Sequence, residues 1–232
     1  MENGYYYRDV KGFRFIAYDA HHMIHHGEFI HYSKLNYWHP PHGIREPETV
    51  MDVLGEEQIA WIEKTIMASP YPCILFGHHS WVRHWAGLIP EERKAVKKML
   101  RRVNKDKQRV MMVMCGHYHT DYMSIEDNVV HFELNSTSNQ WFPQTHDKFP
   151  TEITDNARST RNTLIYNDPV HCIITLRDDG TINIKGMESS WFYDVSPESL
   201  GYNSTDPSGR PFTPDVLSAS IKLDMSGWDN IK

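Results

Sequence analysis

Long apolar runs are missing from this chain, and so is any excess of positive charge. No stretch approaches the length of a membrane span, and the opening Met-Glu-Asn-Gly-Tyr has no signal-peptide pattern. The compartment is left open, cytoplasmic only by default, and no membrane partner is expected. Lys and Arg number 24 against 30 Asp and Glu, a formal net charge of -6. That balance offers no basic face to a nucleic acid; Lys97, Lys98, Arg101, Arg102, Lys105 and Lys107 read as the solvated end of a helix. Cysteine is scarce as well. Cys73, Cys115 and Cys172 each fall in an apolar, strand-like run, which argues for buried thiols and against a disulfide framework. Nor can three such residues supply a zinc-finger spacing. Glycine, finally, is nowhere followed by Asp or Asn.

What the chain has in plenty is histidine, with 15 copies in 232 residues. His21, His22, His25, His26, His31, His39 and His42 crowd one stretch. Two further sets follow apolar runs. Cys73-Ile74-Leu75-Phe76 leads into Gly77-His78-His79-Ser80, and Val110-Met111-Met112-Val113-Met114-Cys115 leads into Gly116-His117-Tyr118-His119. Such runs read as buried strands, and a glycine at the end lets the backbone turn sharply. Side chains just past the carboxyl ends of strands sit where open α/β sheets bind ligands. Imidazoles delivered there suit zinc, iron and similar metals. His78, His117 and His119 together therefore read as a metal site.

With 40% hydrophobic residues, the chain can bury a real core as one large domain, or one domain with an appendage. Residues 13–18 read as a strand entered from a polar turn near Gly12, and a long polar and aromatic loop follows Asp19 to about Pro47. The spacing of Ile59, Ile62 and Ile66 predicts a helix over 56–68, stopped by Pro70 and Pro72. A second helix opens at Pro90-Glu91-Glu92 and closes on Arg101 and Arg102, complementing the helix dipole. Its apolar stripe is Ala95, Met99 and Val103, with Val96 and Leu100. Strands are expected over 110–115 and 128–134, then an irregular stretch over 141–162. A hairpin of 170–176 and 181–185 turns at Asp178-Asp179-Gly180. Beyond residue 196 only 216–221 looks packed. The order predicts an α/β fold: a mixed-sheet sandwich with helices on the sheet.

The cluster His21-His22-x-x-His25-His26 could chelate a metal from one face of a helix at i and i+4. The absence of a clear helical period after Gly27 favours a flexible polar loop instead.

Gly-His-His-Ser after one apolar strand and Gly-His-Tyr-His after the next resemble the second half of the calcineurin-like metallophosphoesterases, a family that includes purple acid phosphatases. The strand at 13–18 and the helix beginning Leu54-Gly55-Glu56-Glu57-Gln58 are similar to the segment that precedes those motifs. The likeness covers about residues 5–135. It implies a four-layer α/β/β/α fold, with residues 1–195 a partial catalytic domain and 196–232 a polar carboxyl-terminal extension. It implies that His78 and His117 bind one metal of a dinuclear pair (Zn, Mn or Fe) and that His119 binds the other. His79 and His84 would then take a supporting catalytic role, protonating the leaving alkoxide. The reaction implied is phosphoester hydrolysis, in which two metals about 3.5–4 Å apart clamp the phosphoryl oxygens and generate hydroxide.

The family's Asp-x-His, Gly-Asp-x-x-Asp and Gly-Asn-His motifs supply most of its first-metal ligands, and the last two are absent here. Asp19-Ala20-His21 spells Asp-x-His, but its place directly before the Gln-x-x-Trp-like helix suits a later strand, which favours coincidence over a ligand role. The chain thus resembles the carboxyl-terminal half of such an enzyme, and the expectation is that Met1 is an internal or artificial start. Three imidazoles without a bridging carboxylate would hold at most one metal well, so weak or absent activity is expected of the chain alone. The alternative is a non-catalytic relative that binds a metal through its histidines, or a partner or second copy through an exposed sheet edge.

Overall fold

The computed structural model describes residues 4–34, 49–83, 87–142, 149–150, 162–205, 209 and 211–228. In chain order the elements are β1 (Tyr6–Val10), β2 (Phe13–Ala17), β3 (His22–His25), β4 (Glu28–His31), β5 (Val50–Met51), α1 (Glu56–Met67), β6 (Cys73–Phe76) and α2 (Pro90–Val103). Then come β7 (Val110–Cys115), β8 (Tyr122–Glu126), β9 (Val129–Glu133), β10 (Asn139–Trp141), β11 (Thr163–Ile165), β12 (Cys172–Leu176), β13 (Thr181–Gly186) and β14 (Ala219–Lys222).

One mixed sheet has the order β1-β2-β6-β7-β9-β8. β1 and β2 are antiparallel, while β2, β6 and β7 run parallel. Parallel neighbours need a crossover, and α1 and α2 lie in the two connections. The α/β class with a mixed sheet is therefore as expected. Lys11-Gly12 closes the first hairpin with φ of 46° and 81°, both left-handed, as a two-residue turn between twisted strands requires. β1 itself was not anticipated. Its residues are exposed throughout, so it carries no alternation to read.

By contact density the chain divides into two compact units, Met1–Cys115 with Ile125–His131 and Asp224–Lys232, and Gly116–Ser124 with Phe132–Leu223. In the first, Ile16, Tyr18, Cys73, Leu75, Val110 and Val113 pack with Ile62 and Ile66 of α1 and Val96, Met99, Leu100 and Val103 of α2. A register shift between Cys73 and Ile74 pairs Cys73 with Val110 but Ile74 with Met112. That extra residue is what keeps Val110 and Val113, three apart, on the same face. Ile74 and Met112 are buried too, as befits parallel strands that read as unbroken apolar runs.

Both helices fall where their periodicity puts them. Ala95, however, is exposed: the buried line is Val96, Met99, Leu100 and Val103, a ridge at i, i+3, i+4, i+7 that leaves position 95 on its flank. Glu92 fastens the two helices, its carboxylate accepting the Leu54 and Gly55 N–H groups at 2.8 and 2.7 Å at the entry to α1. Cys73 and Cys115 are buried, whereas Cys172 is only half-buried, because β12 alternates exposed and part-covered residues.

The first part of the expected loop after Asp19 is instead a hairpin, in a small sheet of order β4-β3-β5, and its residues 35–47 lie outside the described residues. His26-Gly27, with φ of 50° and 82°, is another two-residue turn. The histidine cluster is thus not a helix: with His22 to His25 extended in β3, neither His21 and His25 nor His22 and His26 share a face as an i, i+4 helical pair. His39 and His42 lie outside the described residues.

In the second unit β10 pairs with β11, and β12, β13 and β14 form an antiparallel sheet whose hairpin turns at the expected Asp178-Asp179-Gly180. Its core gathers Phe142, Phe149, Leu164 and Val195.

Candidate metal centre

The parallel register that sets Ala17 opposite Phe76 also carries the residues just beyond them, Tyr18 to His21 and Gly77 to His79, off the carboxyl ends of neighbouring strands. There one nitrogen each of His21, His78 and His79 lies within 4.8 Å of the other two. Their rings meet closely: His21 stacks on His78 at 5.3 Å, and His79 stands edge-on to both at 5.0 Å. His78 is exposed and His79 is buried.

Carboxylates hold two of these rings. His21 Nδ1 lies 2.9 Å from Oδ1 of Asp19, and His79 Nε2 lies 3.0 Å from Oδ1 of Asp52. A ring nitrogen that donates to a carboxylate fixes the tautomer and makes the opposite nitrogen the metal-facing one. Nε2 of His21 and Nδ1 of His79 are then the atoms that would ligate. Bonds of about 2.0–2.1 Å to zinc place tetrahedral donors roughly 3.4 Å apart, inside the 4.8 Å bound on the three nitrogens. The donor chemistry fits a borderline transition metal.

Asp19 is itself clamped. Gln58 of α1, 2% exposed, accepts the Asp19 N–H at 2.7 Å and donates to the Asp19 carbonyl at 2.7 Å. Burial would raise the Asp19 carboxyl, but hydrogen bonds from the His21 ring and N–H, with the charges of His21 and His22, hold it well below the usual carboxylate range. It is therefore ionised wherever an imidazole beside it is neutral. Asp52 is fixed by Tyr32, whose hydroxyl donates to Asp52 Oδ1 at 2.7 Å and accepts the Asp52 N–H at 2.8 Å.

The first glycine of the motif has a reason other than turning. Gly77 keeps a negative φ, and a Cβ there would run into the ring of Tyr18, whose hydroxyl donates to the His79 carbonyl at 2.7 Å. Gly116 has nothing within 4 Å of a Cβ position. The left-handed angles after β7 fall instead on His117 and His119, with φ of 71° and 54°, and non-glycine residues held there cluster at functional sites.

His117 and His119 belong to the second unit and are described within it. His119 Nδ1 donates to the Asn139 carbonyl at 3.1 Å and its ring stacks on Trp141 at 5.1 Å. Burial pushes the imidazole down, against that hydrogen bond, so it is neutral near pH 7 with Nε2 carrying the lone pair. His84 lies outside the described residues.

His21, Asp52 and Gln58 are site residues that the sequence does not announce as such. Only Asp19-Ala20-His21 carried a local signal, and it was discounted on chain order; no short-range pattern marks the other two.

No family model matches the chain, and no curated protein matches it. Among solved structures it is similar to a dimetal phosphatase from Danio rerio, with TM-score 0.47 and 14% identity over 81% of this chain and 59% of that one. It is also similar to GAP50, the anchor in the inner membrane complex of Plasmodium, with TM-score 0.41 and 9% identity over 98% of this chain and 57% of that one. The chain thus spans under two thirds of either structure. Neither score is high enough to carry a function across, so the residues themselves must. Among the described residues no helix is long and apolar enough to cross a membrane.

Proposed function

We propose that this chain belongs to a metal-dependent phosphoester hydrolase of the calcineurin-like class, as a partial catalytic domain of the four-layer type. The observation that carries the reading is the group His21, His78 and His79, gathered at the ends of parallel strands with Asp19 and Asp52 behind it. The motif resemblance adds His117 and His119 to the metal ligands beside His78, with His79 and His84 as supporting acids; His79 can take that role only where its Nδ1 is not a metal ligand, since its Nε2 faces Asp52. It is the sole ground for placing those histidines in one centre. A metal in such a set supplies Lewis acidity and a hydroxide near neutral pH. The chain's own share is to orient imidazoles through carboxylates and to present a protonated ring to the leaving oxygen.

The test loads the chain with Zn²⁺ or Mn²⁺ and follows p-nitrophenyl phosphate turnover, beside His78→Ala and the double variant His117→Ala/His119→Ala. Metal-dependent turnover abolished by either change supports the assignment, and turnover indifferent to both overturns it. A second reading, a metal-binding relative without catalysis, is favoured by the lack of any glycine followed by Asp or Asn. Tight metal binding with no turnover would establish it. Self-association is part of this proposal, with the exposed β1 at the margin of the mixed sheet as the contacting edge.

A further inference from the structure

We infer that the chain carries a second cation site, formed by Asp19, His22 and His31 on the loop and hairpin that follow β2, distinct from the His21-His78-His79 group and needing no hydrolase activity. One ligand-capable atom from each of the three residues lies within 4.8 Å of the other two. The carboxylate divides its oxygens between the groups: Oδ1 faces His21, while Oδ2 lies 3.1 Å from Nε2 of His31. A tetrahedral Zn²⁺ about 2.0–2.1 Å from each ligand atom needs them roughly 3.4 Å apart, so this pair would have to open by a few tenths of an ångström to take one.

Each imidazole is prepared for the role. The buried Nδ1 of His22 has no hydrogen-bond partner among the described residues, and a buried polar atom left so calls for an explanation. The His22 ring is fixed in its plane by Phe29, stacked at 4.5 Å, and meets His31 edge-on at 4.9 Å. His31 now accepts the Ser33 N–H at Nδ1, which leaves its proton on Nε2, toward Asp19. Binding an ion at Nε2 moves that proton to Nδ1 through solvent; the Ser33 N–H gives up its bond to Nδ1, and the new Nδ1–H donates to the Ser33 hydroxyl oxygen, 2.6 Å away. No proton is lost overall, and the Nε2 lone pair is exposed to the ion. The β3-β4 pairing sets His22 directly opposite His31, so both rings approach from one small sheet. Two imidazoles and a carboxylate suit Zn²⁺ better than Ca²⁺ or Mg²⁺.

The experiment titrates the metal-free full chain with Zn²⁺ and reads bound ions per chain by native mass spectrometry, with affinities from chelator competition. Variants are His31→Ala, His78→Ala, the two combined, and His25→Ala as a control for unspecific histidine binding. Expected is a Zn²⁺ retained in His78→Ala and lost, or weakened at least about tenfold, when His31→Ala is added, with His25→Ala like the parent. Zn²⁺ retained unchanged in the combined variant, or weakened equally by His25→Ala, overturns the site. Should His78→Ala fail to fold, the parent and His31→Ala substituted with Co²⁺ decide instead: loss of one set of visible bands supports the site, and identical spectra refute it. Failure of the hydrolase reading shows separately, as turnover that is absent or indifferent to His78→Ala and His117→Ala/His119→Ala, and leaves these stoichiometries untouched.

Discussion

Asp52 Oδ1 lies 3.0 Å from Nε2 of His79, and Asp52 reaches it from a left-handed backbone with φ of 61°. Such angles are uncommon outside glycine, with Asp and Asn the main exceptions, so Asp52 suits both the turn and the ring it holds. Asp52→Ala is expected to weaken Zn²⁺ binding at the His21-His78-His79 group by about 10- to 100-fold, read by chelator competition. Asp52→Asn, which keeps the turn and an acceptor oxygen but not the charge, should fall between. Equal affinity in all three proteins would show that Asp52 does not orient a ligand.

The two motif glycines should respond oppositely to a methyl group. Gly77→Ala drives a Cβ into the Tyr18 ring and should cost about 1–3 kcal/mol, typical of overpacking. Gly116→Ala meets nothing within 4 Å and should stay within about 0.5 kcal/mol of the parent. Urea midpoints measure both.

His117 sets stability against metal binding. Its φ of 71° is relaxed by His117→Gly, so the variant should unfold at equal or higher urea concentration, strain at such angles being worth about 1–3 kcal/mol. Under the proposed function its metal-dependent turnover should vanish. A destabilised variant with full turnover would contradict both halves.

His131 predicts the acid limb of the stability curve. Burial, which Lys97 reinforces and Glu126 and Asp127 oppose, lowers its imidazole to about 4, while the unfolded chain titrates near 6.5. Between those values the unfolded state binds more protons, so stability is fully present above about pH 6.5 and declines as pH falls toward 4. The loss is on the order of 3 kcal/mol for a depression of this size. His131→Leu should flatten that part of the curve, seen in urea midpoints from pH 4 to 7.

Much of the local structure could be read from neighbouring residues. Cys73 to Phe76 and Val110 to Cys115 are strands because their apolar runs are short and bounded, and α2 opens on Pro90 and closes on Arg102 because its ends are written in proline and charge. The β3-β4 hairpin escaped this reading: its turn is His-Gly, which is not among the strongest hairpin signals, and its strands carry polar histidines where apolar residues would have marked an inner face.

What the sequence by itself determined is the two helices, strands β2, β6, β7, β9, β12 and β13, and the placing of histidines just beyond two of them, since propensity and periodicity act over a few residues. The tertiary structure alone decided which of those histidines meet. His21 joins His78 and His79, 57 and 58 positions away, because β2 and β6 pair in parallel with Ala17 opposite Phe76. Asp52 and Gln58 acquire their roles from the same fold. Contacts of that span depend on strand register and helix placement, fixed by burying one shared core, and no local pattern encodes them.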